Sequence, residues 1–413
     1  MAFGLLLASF FLSFFFRTSA SVVLPRLATD WGLSAAVTGL ISSLYFYAYA
    51  LIQPICGALN DRLGPMRVAA VGLAIASLGA ICFALARSAL LLAVGRLLTG
   101  LGLSSMLSGT VAFQNASSAP ERHVFFSGLT YFVGNLGAVA SVAPLGAALD
   151  AWGRRRVFSG LCLVTIVVAA ALYIMRNHDP VTAINAGRRG SSGHLWHELK
   201  NAMAMIRRSP NLRAIVMIWP IAYGSLMTMQ GLWAVEWCQS TYGATDSTAR
   251  IWATLISIGV MVGNLAGAKI GREMRHRRRA ISISSLSYAL SWSTLWIGMV
   301  QRWPMPITGS IVLHMGVCVG VCATHLAAGV SNTAQHGRGG ALFGLVNMFP
   351  SLGVIFAQWG TGLLLSRKAI GTLSTTGTQY PASAFLFTFA LVVGVVWISQ
   401  LALLTMEEFG RNS

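Results

Sequence analysis

Charge is what this sequence has least of. Only 10% of its 413 residues are Asp, Glu, Lys or Arg, against about 25% in soluble globular domains. Acidic residues are especially scarce, 11 in all. With 55% hydrophobic residues and a mean hydropathy of +0.68, that scarcity excludes an ordinary soluble fold. Cysteine is thin too: six residues, at positions 56, 82, 162, 238, 318 and 322, mostly inside apolar runs where a thiol acts as a small hydrophobe. No pair suggests a disulfide scaffold, so the cysteines do not report a redox compartment. There is no basic n-region before the first apolar run, which therefore reads as a helix of the mature chain and not as a cleavable signal. Its leader of two residues is short, and a truncated start is the expectation. No ATP-binding glycine loop occurs. No cofactor and no metal are expected, and a carrier is expected in place of an enzyme.

What the sequence has is length of apolar run. Stretches of about 20 residues, enough to cross a bilayer core, recur a dozen times: 3–24, 35–56, 68–86, 89–112, 124–149, 156–175, 213–237, 250–268, 280–300, 306–331, 340–366 and 382–405. The expectation is an all-α membrane protein of twelve transmembrane helices. The net charge of +18 does not point to nucleic acid, because its distribution follows the bilayer. With the 57–67 loop in the cytoplasm, 18 of the 29 Lys and Arg fall on the cytoplasmic side and nine outside. Positive-inside insertion then puts both termini in the cytoplasm, of a bacterial inner membrane on this reading. One stretch departs from the bias: Arg154-Arg155-Arg156 falls outside.

The most informative stretch is 57–67, Gly57-Ala58-Leu59-Asn60-Asp61-Arg62-Leu63-Gly64-Pro65-Met66-Arg67, between the runs 34–56 and 68–86. Two spanning helices must reverse there, so its glycines are read as permitting close approach and left-handed turns. Asp61 can accept from the N-terminus of the following helix or from a nearby guanidinium, and Arg62 and Arg67 stay on the positive side. The pattern G-x-L-x-D-R-x-G-x-x-R resembles the loop between the second and third helices of major facilitator superfamily transporters. The resemblance implies a conformational gate at Gly57, Asp61, Arg62, Gly64 and Arg67, with the Asp helping to hold the outward-open state. The alternative is an ordinary short turn. Gly95-Arg96-Leu97-Leu98-Thr99-Gly100-Leu101-Gly102 is similar to the fourth-helix pattern of many members, and W-G-R-R-R-V-F to their common fifth-to-sixth junction. The fifth-helix run lacks the Gly-Pro-x-x-Gly-Gly ending of drug and metabolite antiporters.

The chain divides into two halves. A Gly/Ser/Arg-rich linker separates six apolar runs from six, giving two six-helix bundles at 1–176 and 213–405, a linker at 177–212 and a tail at 406–413. Within the linker Leu195, Leu199, Met203 and Ile206 share one helical face, which suggests an amphipathic helix on the inner leaflet. At an offset of 210, Gly57 meets Gly267, Arg62 meets Arg272 and Arg67 meets Arg277, while Gly271 stands opposite Asp61. Duplicated halves are the architecture of this superfamily.

Charged side chains inside a bilayer cost about 2.5–3.5 kcal/mol on insertion scales and are functional suspects. Arg17, Arg96 and Glu236 lie within apolar runs. The two arginines sit at similar depth, in the first and fourth helices, which with the seventh and tenth line the central cavity in the resembled family. An arginine fork suits a carboxylate or phosphate, and no matching arginine occurs in the seventh helix, where Met227 holds the equivalent place. The run from Arg17 to Pro25, R-T-S-A-S-V-V-L-P, resembles the first helix of the family's anion-transporting branches, such as organophosphate antiporters and sugar-acid symporters. Its departure from the organophosphate pattern in the seventh helix implies a monocarboxylate or amino-acid-like solute over a dianionic phosphate. Packing against backbone is the alternative for Arg96. Glu236 either carries a coupling proton, pairs with an external arginine, or marks a solvated helix end. In the tenth helix His314, Cys318, Cys322 and His325 share a sector, but the set spans about 16 Å at 1.5 Å per residue, too long for one ion. His314 is read as facing the cavity, to bind substrate or titrate, or as satisfied between helices. Ser42, Tyr45, Tyr49 and Gln53 share a face of the second helix, Tyr223 and Gln230 a face of the seventh, and Asn347 and Gln358 lie in the eleventh. They are cavity candidates or interhelical hydrogen bonds.

These readings combine into a secondary transporter working by alternating access between two bundles. Its expected partners are a small, anionic solute (a carboxylate, sugar acid or amino-acid-like molecule), protons and the lipid bilayer. Arg17, Arg96, Tyr45, Tyr49, Gln53, Gln230, His314 and Asn347 are the substrate candidates, and Glu236 or His314 the proton carrier. An efflux antiporter for drugs or siderophores remains open, as does a non-transporting sensor or assembly protein of the same fold.

Overall fold

The computed structural model describes residues 2–117, 123–181, 193–270, 277–333, 339–368 and 380–408. Backbone groups in hydrocarbon have no water to pair with, so apolar runs of this length close their hydrogen bonds internally; among the described residues the structure is helical, with no strand. The N-terminal half holds α1 (Ala2–Thr18), α2 (Ala20–Trp31), α3 (Ala35–Leu63), α4 (Pro65–Leu85), α5 (Ala89–Leu103), α6 (Met106–Ser117), α7 (His123–Ala140) and α8 (Ala143–Met175). After α9 (Gly193–Arg208), the C-terminal half holds α10 (Pro210–Thr228), a π-helical turn (Met229–Trp233), α11 (Ala234–Tyr242), α12 (Asp246–Ile270), α13 (Arg277–Val300), α14 (Met305–Thr333), α15 (Gly339–Lys368) and α16 (Ala382–Gln400). Serines open several of these elements: Ser34, Ser88 and Ser209 each accept from a backbone N–H three residues on, satisfying donors that a helix start leaves free.

Ten stretches among the described residues are long and apolar enough to cross a membrane. Twelve spans were expected, and two differ. The boundary expected between the fifth and sixth spans is there, because the backbone leaves helical geometry at Gly153 (φ 76°, ψ 156°); the fifth falls short because it is divided at Ser141-Val142 into α7 and the start of α8. The expected ninth corresponds to α13, a 24-residue helix carrying six serines, ISISSLSYALSWS in its middle.

The stretch 57–67 is not the open loop that the sequence suggests. Helix α3 continues to Leu63, Gly64 alone turns the chain (φ 83°), and Pro65 starts α4. A left-handed φ suits glycine, and proline at a first helical position loses nothing because its missing N–H would be unpaired there. Gly57 is helical, with open space where a side chain would begin, so it is not held there by close approach. Arg62 and Arg67 are exposed. The side chain of Asp61 lies outside the described residues, as do residues 271–276, which carry the second copy of the motif. The first turn of α4 is instead capped by a residue from far along the chain: Asp179 Oδ2 accepts from the Met66 N–H at 2.8 Å, while Oδ1 takes the Val181 N–H.

The two halves meet chiefly along α3 with α15, and along α7 and α8 with α12. A Cβ added at Gly39 would strike the Gln358 carbonyl, and one at Gly362 the Ala35 carbonyl; only glycine lets these two backbones come so close. Helix α9 buries Ala202 and Ile206 in an apolar cluster with Leu212, Ile215, Trp219, Leu342 and Leu345. Its described apolar residues thus face protein, where an inner-leaflet location was expected; Leu195 and Leu199 have side chains outside the described set. The arginine triplet also finds a reason. Arg154 donates to the carbonyls of Phe83, Ala84 and Ala86, closing the C-terminal end of α4, where carbonyls are unpaired and a cation is favoured.

Candidate functional site

Two helices change their winding at matching places, with the backbone still right-handed helical through Ser19 and Met229. Helix α1 ends at Thr18, and α10 ends at Thr228, where the π turn begins; these positions are related by the same offset of 210 that relates the motif copies. π turns frequently mark functional positions. Arg17 immediately precedes the first break.

Arg17 is buried at 6% exposure. Its Nη1 donates to the hydroxyl of Tyr223 at 2.7 Å, across the two halves. Its guanidinium carbon lies 4.5 Å from the ring centre of Phe14, 5.0 Å from Tyr49 and 5.9 Å from Tyr45. Such faces attract a cation but do not neutralise it. Nε makes no hydrogen bond, and the four ion pairs among the described residues do not include Arg17. Among the described residues, aromatic faces and a neutral hydroxyl surround this buried cation.

Arg96 has a different environment. Its Nη1 donates to the Phe16 carbonyl at 2.9 Å and its Nη2 to the Ser42 carbonyl at 2.8 Å. It is 1% exposed, with its guanidinium 4.8 Å from the Tyr45 ring centre. Arg96 therefore bolts α5 to α1 and α3, using carbonyls beside the α1 break. The two arginines share the Tyr45 ring, and they differ in what their terminal nitrogens meet: a tyrosine hydroxyl for Arg17, two carbonyls for Arg96. The main chain thus takes two of the Arg96 donors, while its Nε, like that of Arg17, has no hydrogen bond among the described residues.

The other candidates separate in the same way. Asn347 Nδ2 donates to Gln53 Oε1 at 2.9 Å, joining α15 to α3 across the halves. Gln230, in the π turn, donates to Ser257 Oγ at 2.7 Å and leaves its own oxygen unpaired. Tyr45 reaches Ser13 at 3.4 Å. Glu236 in α11 is 8% exposed and belongs to none of the ion pairs among the described residues; it is not a solvated helix end. His314 is corrected. It is exposed on the outside of α14, hydrogen bonded to Ser287 at 2.9 Å and near Cys318 at 3.4 Å, so it does not face the interior. Helical phase put His314, Cys318 and His325 on a common sector but could not say which way that sector points.

A second feature, absent from the sequence candidates, lies on the face opposite the Gly64 turn. Arg26 in α2, Asp150 in α8, and Asp246 and Arg250 in α12 form one cluster of alternating charge. Arg26 meets Asp150 at 2.9 Å and also meets Asp246; Arg250 meets Asp150 at 2.6 Å and Asp246 at 3.2 Å. Arg250 is 6% exposed, while the carboxylates are more than a third exposed. Two of these contacts, Arg26–Asp246 and Arg250–Asp150, tie one half of the chain to the other. No signal in the sequence marked them, because charges at span ends are ordinary and the partners are 100 and 220 residues apart.

Comparison with known proteins agrees with this architecture. The family model described as Major Facilitator Superfamily matches residues 6–358. A "Probable sulfoacetate transporter SauU" of Cupriavidus necator is 22% identical over 323 residues, 76% of this chain and 73% of that protein. An "Uncharacterized MFS-type transporter YhhS" of Escherichia coli is 30% identical over 190 residues, 42% of this chain and 45% of its own. The fold is similar to that of a bacterial homologue of the human lysosomal transporter Spinster, crystallised inward-facing and unoccupied. That match has a TM-score of 0.72 at 14% identity, over 98% of this chain and 96% of that one.

Proposed function

The chain belongs to the Major Facilitator Superfamily, and from that premise we propose that this secondary transporter carries a small organic anion, coupled to protons, through a site centred on Arg17. The observation that carries the reading is the state of that guanidinium: buried at the α1 break, ringed by Phe14, Tyr45 and Tyr49, with Tyr223 as its hydrogen-bond partner and no carboxylate paired to it. An arginine desolvated in this way gains most from a carboxylate or sulfonate, whose oxygens match the planar fork. Tyr223 belongs to the opposite half, so cargo binding at Arg17 bears directly on the contact between the halves. The relative named a probable sulfoacetate transporter is, by that name, a carrier of a small organic anion, which supports the same class.

Glu236 is the proton carrier in this proposal. It is buried next to the π turn, with no cation paired to it among the described residues, and a neutral carboxyl is cheaper to bury than an unpaired carboxylate. The halves rock about the Arg17 level, and the Arg26–Asp150–Arg250–Asp246 cluster latches the face opposite Gly64. Both termini lie in the cytoplasm of a bacterial inner membrane. In proteoliposomes carrying a pH gradient, uptake of small carboxylates and sulfonates should disappear in Arg17→Ala. Glu236→Gln should retain exchange of labelled for unlabelled cargo but lose accumulation driven by the gradient. Full uptake by Arg17→Ala would refute the anion site; gradient-driven accumulation by Glu236→Gln would refute the coupling role.

A further inference from the structure

We infer that the concavity around the Gly153 break is a docking site for an anionic phospholipid of the leaflet opposite the Gly64 turn. Trp152, Gly153, Arg154, Arg155, Arg156 and Ser159 line a hollow of about 710 Å3. Arg154 is engaged with the carbonyls that end α4, and Asp30 is the acidic group that acts on it. Arg155 and Arg156 are both exposed and have no hydrogen bond or ion pair among the described residues. The nearby Asp150 is taken up by Arg26 and Arg250. Two uncompensated guanidiniums therefore stand at a membrane edge, on the face that the chain's own charge bias leaves poor in cations.

The helix below them supplies the rest of a phospholipid's outline. Arg156, Gly160, Leu163 and Val167 follow one another along a single stripe of α8, at steps of three and four residues. Gly160 has open space around it, and Leu163 and Val167 are 64% and 58% exposed. From Arg156 to Val167 is about 16 Å at 1.5 Å per residue, close to the roughly 15 Å that one leaflet contributes to a 30 Å core. A phosphate at Arg155 and Arg156 would sit beside Trp152, 64% exposed and of a residue type that prefers the headgroup level. Its acyl chain would lie over Gly160 along Leu163 and Val167. A soluble phosphate or an acidic protein would use the arginines and leave the apolar stripe unused. The site does not depend on which cargo the transporter carries.

The test uses the purified full chain in detergent, titrated with phosphatidylglycerol, with phosphatidylcholine or with inorganic phosphate, and read by native mass spectrometry and thermal shift. Phosphatidylglycerol should bind and stabilise where the other two do not. Each cation near an anionic headgroup contributes enough that losing two, in Arg155→Gln with Arg156→Gln, should weaken binding roughly 30-fold. The control pair Arg207→Gln with Arg208→Gln, also exposed, should leave it unchanged. Gly160→Leu keeps every charge, and by filling the path of the chain should weaken phosphatidylglycerol about fivefold. Equal phosphatidylglycerol affinity in the 155/156 variant, equal loss in the control pair, no loss in Gly160→Leu, or the same stabilisation by inorganic phosphate alone would each overturn the assignment.

Discussion

Arg17 and Arg96 are the same side chain at similar depth, touching the same tyrosine ring, and the structure gives them different partners. Arg96 donates to two main-chain carbonyls, those of Phe16 and Ser42; Arg17 donates to a single phenol from the far half of the chain. What separates a structural arginine from a functional one is thus the fate of its donors, not the charge itself. A guanidinium whose terminal nitrogens end on carbonyls has fewer donors left for cargo. One that rests on aromatic faces and a hydroxyl keeps its strongest interaction in reserve. The Phe16 carbonyl, one residue before Arg17, takes both Arg96 Nη1 and the Ser19 hydroxyl.

The comparison can be broken most directly by exchanging the two side chains' losses. Arg17→Gln should cut cargo affinity by about 10- to 100-fold, the span expected for removing hydrogen bonds to a charged partner, with thermal stability near that of the parent chain; isotope uptake and a melting curve measure the two. Arg96→Met should do the reverse. It removes two hydrogen bonds from a charged donor, about 1.5–3 kcal/mol each, with the Phe16 carbonyl keeping the Ser19 hydroxyl, so denaturation should show a loss of stability while any protein that remains folded still binds cargo. Third in size is the latch on the face opposite Gly64. Asp150→Asn with Asp246→Asn leaves Arg26 and Arg250 without counter-charges and repelling each other, which should shift the population toward opening of that face, read as faster labelling of a cysteine placed at Ser247. Because the carboxylates are partly exposed and water screens them, the shift should be severalfold, not absolute. The smallest effect belongs to Tyr223→Phe. It deletes the neutral partner of Arg17 and should change affinity by less than about tenfold, since a neutral hydrogen bond nets about 1 kcal/mol. A collapse of transport there would mean that the hydroxyl, and not the guanidinium, selects cargo.

Much of this molecule was legible in the sequence because the bilayer leaves few choices. Apolar runs of about 20 residues must be helices, a charge inside one of them is conspicuous, and so Arg17 stood out before any coordinates. The repeat at an offset of 210 was visible as well, and the paired breaks at Thr18 and Thr228 follow it. What could not be read depends on which way a face points or on contacts far apart in the chain. His314 lies in an apolar run like Arg17, yet its side of α14 faces outward. Asp179 caps α4 from more than a hundred residues away, a task the sequence offered to Asp61. The latch at Arg26, Asp150, Asp246 and Arg250 uses charges that any span end carries. The stretch 57–67 looked like a loop because it is polar, but only Gly64 has a conformation that breaks a helix.

The account stands on Arg17 being the cation that cargo meets while Arg96 holds the helices. The most direct measurement is a thermal-shift titration of the purified chain, of Arg17→Gln and of Arg96→Gln against one panel of small carboxylates and sulfonates. The account predicts stabilisation by at least one anion in the parent chain, its loss in Arg17→Gln, and its persistence in Arg96→Gln from a lower starting temperature. Stabilisation that survives in Arg17→Gln, or that vanishes only in folded Arg96→Gln, would contradict it.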